Sequence, residues 1–104
     1  MRKIVIDDIK QNVLNDILKA TSKVTHIEIA DIIGKCRKDN IVEARRIVCY
    51  ILREKHKYSW CTIRELMGFS DHTSVLHHCR NHINLTYDKN YINKYNQIIK
   101  ELEL

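Results

Sequence analysis

The sequence predicts an all-α domain of about six helices, and three observations carry that expectation. There is no proline and only two glycines among 104 residues, too few turn formers for an all-β chain. Apolar residues recur at helical spacing in one stretch after another. Capping side chains or a glycine stop stand at most of the breaks between those stretches. The length suits one domain over residues 1–104. The glycine shortage also excludes a P-loop or a Gly-rich dinucleotide fingerprint, so no nucleotide is expected as a ligand.

Each element follows from its local pattern. Ile6, Ile9, Val13 and Ile17, with Leu14 and Leu18 beside them, make the stripe of a first helix. Asp7 and Asp8 stand at its start, where carboxylates satisfy free N–H groups and suit the dipole. A polar break is expected at Thr21–Lys23. Thr25 and Glu28 form a capping-box pattern for a short second helix carrying Ile29, Ile32 and Ile33, with Gly34 just past its end. Asp39 or Asn40 is expected to cap a third helix, roughly 40–56, whose core face is Ile41, Ala44, Ile47, Val48, Ile51 and Leu52. On that helix Arg46 and Arg53 fall opposite the apolar face and Arg45 on its flank.

Ser59 is expected to cap a short helix through Met67, which Gly68 ends. Ser70 or Asp71 caps the next, from about Thr73 to Leu85, with Val75, Leu76, Cys79 and Ile83 facing inward. A last helix, about 88–104, carries Ile92, Tyr95, Ile99 and Leu102 and is expected to pack on Ile6, Ile9 and Val13. Its stripe is too short for a coiled coil alone, so a monomer is expected.

Charge is unevenly spread. The net +5 of the chain sits in residues 35–57, which hold eight basic and three acidic side chains; the rest of the chain is balanced. A focused basic field suits a polyanion such as nucleic acid. No run of about 18 apolar residues is present, so no membrane span is expected. MRKIVIDDIK lacks the apolar stretch of a secretory leader, and the cysteines at 36, 49, 61 and 79 show no C-x-x-C. A cytoplasmic protein with free thiols is expected. His77, His78, Cys79 and His82 are grouped, with His78 and His82 at i,i+4. Zinc needs at least a third ligand and Cys79 points to the apolar side, so no metal site is expected; the histidines are read as solvent-facing. Nothing supplies a nucleophile or an oxyanion site, so neither catalytic residues nor a cofactor are expected, and the chain is read as no enzyme.

The helix pair around Gly68 is a helix-turn-helix pattern. Its second helix starts Asp71-His72-Thr73-Ser74, hydrogen-bonding residues where a recognition helix meets base edges. The same residues also serve simply as caps.

Phe69-Ser70-Asp71-His72-Thr73-Ser74-Val75-Leu76-His77-His78-Cys79-Arg80 resembles the signature of the DnaA replication-initiator family, approximately G-x-R-D-H-[ST]-[ST]-V-L-H-A-x-R. Gly34-Lys35-Cys36-Arg37-Lys38 resembles that family's basic loop, and Ile41-Val42-Glu43-Ala44-Arg45-Arg46-Ile47 its following helix. The stretch from Ser59 to Ile63 is similar to a further family block. The blocks keep their order and spacing, and the resemblance covers about residues 4–85. It implies an all-α module that binds double-stranded DNA at DnaA-box-like sites, in replication or transcription control.

Residue by residue, the resemblance implies that Arg37 enters the minor groove and that Arg45 contacts DNA from the basic helix. It implies base contacts from Asp71, His72 and Thr73 in the major groove. Lys35, Lys38, Arg46, Arg53, Trp60, Cys61 and Ser74 would lie at phosphates or support the contacts. Arg46, Arg64, Met67 and Ser70 stand where the family usually has Gln, Gly, Phe and Arg, and some of these lie beside the reading residues. The family's ATPase module is not in this sequence. Met1 and a complete first helix favour a free-standing protein over an excised piece. The competing reading is a protein-interaction module that binds a partner through its helical surface.

Overall fold

The computed structural model describes residues 7–104. Ile6 of the first stripe, and the start of the resemblance at residue 4, lie outside the described residues. Six helices follow in order among those described: α1 (Asp8–Thr25), α2 (Ile29–Ile32), α3 (Asp39–Glu54), α4 (Trp60–Met67), α5 (Thr73–Asn84) and α6 (Lys89–Glu101). The all-α expectation holds.

α3 is the axis of the domain. It packs against α1, α2, α4 and α5, while α6 lies along α1. Ala44, Ile47, Val48, Cys49, Ile51 and Leu52 have no exposed surface. Burying each such Ile or Leu contributes roughly 1.5–3 kcal/mol, so α3 dominates the core. Ile17, Leu18, Ile32, Ile63, Val75 and Ile98 close round it from the other helices.

Several helix ends match their expected chemistry. Asp7 caps α1 by accepting from the Lys10 amide at 2.8 Å. Ser59 caps α4 by accepting from the Thr62 amide at 3.1 Å, and Gly68 ends it in the left-handed region at φ 73°. Asp88 caps α6 through the amides of Asn90 and Tyr91.

Other local expectations fail for identifiable reasons. The polar stretch Thr21–Lys23 does not break α1. Thr21 is buried and its hydroxyl donates to the Ile17 carbonyl at 2.8 Å, a helix-compatible bond that removes the need for water. Thr25 does the same to Thr21, so it forms no capping box; Glu28 precedes α2 at its N-cap and makes no side-chain capping bond. α1 ends instead at His26, in the left-handed region at φ 60°. α3 begins after Lys38, without a cap from Asp39 or Asn40.

Two stripes are rotated from expectation. On α5 it is His82, 1% exposed, that turns inward, while Ile83 is 59% exposed. On α6 the buried residues are Tyr91 and Ile98, with Ile92, Tyr95, Ile99 and Leu102 only half-buried. These rotations share one cause. α5 and α6 meet through an aromatic cluster in which His82 stacks on Tyr50 at 3.7 Å and meets Tyr91 and Tyr95 edge-on. α6 does approach Val13, beside Leu102, but Ile9 stays exposed.

Candidate nucleic-acid interface

The second helix of the α4–α5 pair begins with a built turn. The Asp71 carboxylate accepts from the Thr73 amide at 2.6 Å and so satisfies a free N–H at the start of α5. That bond, with a second from the Thr73 hydroxyl, holds the Asp71 carboxyl below its ordinary value. The expected cap is therefore Asp71, although α5 proper follows His72. Asp71, His72 and Thr73 are all exposed, and Ser74 is half-buried. Ser74 and His78 lie one turn apart on the same side of α5.

The loop between α2 and α3 faces this turn. A cleft of about 440 Å³ lies between them, lined by Lys35, Arg37 and Arg45 on one side and by Gly68, Phe69, Ser70, Ser74 and His78 on the other. Lys35, Arg37 and Lys38 are exposed and have no ion-pair partner among the described residues. The arrangement is a concave surface with exposed cations on one lip and a helix N-terminus on the other. It can hold an anionic strand between phosphate-binding side chains and hydrogen-bonding ones.

The remaining basic residues are used differently from expectation. Arg45 is only 7% exposed. Its Nε donates to the Ile32 carbonyl at 2.7 Å, and one terminal nitrogen donates to the carbonyls of Gly34 at 2.7 Å and Asp31 at 3.2 Å. These carbonyls sit at the end of α2, where a helix leaves acceptors unpaired. Arg45 thus turns inward from the flank, the loss of its hydration offset by carbonyl acceptors at and just past the end of α2.

Arg53 lies over Trp60, its guanidinium carbon 4.1 Å from the ring centroid, and donates to the Tyr58 carbonyl at 3.0 Å. Both residues are half-buried, Arg53 in the last turn of α3 and Trp60 at the start of α4. Cys61, next along, is exposed. Arg46 was expected to face solvent, but it is half-buried and its Nε is shielded without a hydrogen-bond partner among the described residues. α5 packs over that side of α3, with His78 and His82 near Arg46, so it is not a free surface.

His78 is the site residue that residue type alone did not single out for this cleft. Burial, with the nearby charges of Arg46 and Arg45, pushes it down to about 4, so it is neutral at pH 7. Its ring lies 5.6 Å from Phe69, another cleft residue. The i,i+4 relation to Ser74 is the signal that finds it.

Among the described residues no three His, Cys, Asp or Glu side chains gather in a metal-binding geometry. His82, read from sequence as solvent-facing, is committed to Tyr91 instead. Cys36, Cys49, Cys61 and Cys79 are free thiols, and burial raises those of Cys49 and Cys79. No described helix is long and apolar enough to cross a membrane.

Comparison with known proteins gives the same frame. The family described as "Bacterial dnaA protein helix-turn-helix" matches residues 14–81, from the middle of α1 to near the end of α5. Chromosomal replication initiator protein DnaA of Porphyromonas gingivalis is 37% identical over 71 residues, covering 68% of this chain and 15% of that protein. The protein of the same name from Bifidobacterium animalis subsp. lactis is 32% identical over 89 residues, 85% of this chain and 15% of its own length. That of Campylobacter curvus is 34% identical over 100 residues, 95% of this chain and 22% of its own length. The chain thus spans less than a quarter of the length of these curated relatives. With the family match running through the basic loop, α3 and the helix pair, the chain belongs to the bacterial DnaA helix-turn-helix family of DNA-binding domains.

Proposed function

We propose that this domain binds double-stranded DNA sequence-specifically, at DnaA-box-like sites, in the control of replication or transcription. The observation that carries the reading is the cleft between the basic loop and the start of α5. α5 enters the major groove by its N-terminus, and the α2–α3 loop reaches over the adjacent backbone. Asp71, His72 and Thr73 face base edges: a carboxylate accepts from cytosine N4, and a threonine methyl packs on a thymine methyl.

Arg37 extends from the loop into the neighbouring minor groove, where narrow A·T-rich stretches attract a guanidinium. Lys35, Lys38 and Ser74 hold phosphates, with Arg53, Trp60 and Cys61 flanking them. Binding uses no metal, nucleotide or other cofactor, the protein acts as a monomer, and it carries out no catalysis.

Fluorescence titration of wild type and Arg37→Ala against a set of duplexes tests this reading. Arg37→Ala weakens binding by about 1–3 kcal/mol and relaxes preference at A·T positions on one side of the site. An equal loss on every sequence would reduce Arg37 to a phosphate contact. No duplex binding by the wild type would end the proposal.

A further inference from the structure

We infer that Arg45 is a positioning residue: it does not contact DNA but holds the basic loop in the shape that presents Arg37. This rests on the proposed DNA-binding reading. The geometry points to it because the guanidinium is already occupied. Three backbone carbonyls take its hydrogen bonds, and the side chain is almost wholly out of solvent. No carboxylate pairs with it among the described residues, so those carbonyls are what compensates the buried charge.

The three acceptors are not scattered. Asp31 and Ile32 are the last residues of α2, and Gly34 is where the chain leaves for the loop. A planar donor fork suits several acceptors at once, and a cation suits the negative end of a helix. Gly34 itself is tightly placed. A Cβ there would come within 2.9 Å of the Ala30 carbonyl oxygen. Arg45 and Gly34 therefore fix the same point from two sides.

From that point only Lys35–Lys38 remain before α3 begins. Arg45 belongs to α3, so the segment is pinned to one helix at both ends. A loop held this way loses little further freedom when it meets a ligand. Arg37 lies within it and is exposed toward the cleft.

Arg45→Lys separates positioning from contact. Lysine keeps the charge, so a phosphate contact and the overall field survive, but one ammonium cannot span the three carbonyls. The measurements are duplex affinity for wild type, Arg45→Lys, Arg37→Ala and the double variant, with hydrogen exchange at the amides of 34–38 in the absence of DNA. Positioning predicts that Arg45→Lys binds about tenfold more weakly, within the range that coupled residues span. It predicts that Arg37→Ala then adds little further loss, and that the loop amides exchange faster. Wild-type affinity and unchanged exchange in Arg45→Lys would overturn the inference. So would losses that simply add.

If Arg45→Lys fails to fold, Gly34→Ala decides, because it disturbs the same point without touching a charge. Weaker binding coupled to Arg37→Ala supports the inference, and unaltered binding refutes it. If wild type binds no duplex, the proposed function fails, while the exchange data still read whether Arg45 holds the loop.

Discussion

The Nδ1 of His82 lies 2.5 Å from the Tyr91 hydroxyl, and this buried hydrogen bond ties α5 to α6. The His82 ring is also stacked on Tyr50 of α3, so one imidazole joins three helices. Burial, with the Arg46 charge, pushes His82 down to about 4. In the unfolded chain it titrates near 6.5. Its contribution is therefore complete above pH 6.5 and is lost as pH falls toward 4, because only the unfolded chain takes up the proton in that window. The loss amounts to roughly 3 kcal/mol. His78 is depressed in the same range and adds to it. Melting temperature against pH checks this: wild type falls between pH 6.5 and 4, and His82→Gln removes a large part of the slope. A slope unchanged by His82→Gln would contradict the assignment.

Tyr91→Phe leaves the His82 nitrogen buried without its partner. It costs about 1–3 kcal/mol in chemical denaturation and leaves DNA affinity of the folded protein unchanged. Reduced affinity at full folding would mean that α6 shapes the binding surface.

Thr73 and Asp71 part company on substitution. Thr73 is exposed; the Asp71 carboxylate caps its amide, and its hydroxyl adds only an exposed bond to the same carboxylate. Thr73→Ala keeps that amide and stays within about 0.5 kcal/mol of wild-type stability. It weakens specific duplex binding by about 1–3 kcal/mol. Asp71→Ala lowers both stability and binding, since a cap contributes about 1 kcal/mol. Paired melting and binding curves tell the two apart. Strong destabilisation by Thr73→Ala with selectivity intact would make Thr73 structural.

The start of α5 and the α4–α5 turn were legible because their chemistry is local. Ser59, Gly68 and Asp71 act on neighbours a few residues away. Arg45 was not legible, because its partners are on α2, and a helical wheel shows only that the residue sits on a flank. His82 was misplaced for a similar reason. Periodicity favours Ile83 for the core, but the hydroxyl of Tyr91 and the rings of Tyr50 and Tyr95 make a buried imidazole tolerable and rotate the helix. Thr21 shows the limit of reading polarity as a break, since a back-bonded hydroxyl can be buried in a helix.

Salt dependence counts the free cations. Of the eight basic residues in 35–57, Arg45 is internal, Arg46 is half-buried with its Nε shielded, Arg53 is engaged by Trp60 and Tyr58, and Lys57 pairs with Glu54 at 3.8 Å. With about four cations meeting phosphate, the slope of log K against log salt is about −3 to −4, shallower than the eight charges would give. Titrations between low and moderate salt measure it. A slope steeper than about −6 would show that the inward arginines turn out on binding.

Removal of metal leaves the domain unaffected, since His82 is bonded to Tyr91 and no metal-binding group of side chains includes His78 among the described residues. Melting with and without EDTA gives the same midpoint. A drop of many degrees would reveal an ion held by this region.

Selection of bound duplexes from a random pool tests the central claim most directly. The account predicts that the wild-type domain enriches one short duplex sequence family. The enriched family carries an A·T-rich flank that Arg37→Ala no longer selects and core positions that Thr73→Ala no longer selects. A pool that stays random after repeated rounds, or an enriched sequence indifferent to both substitutions, would contradict it.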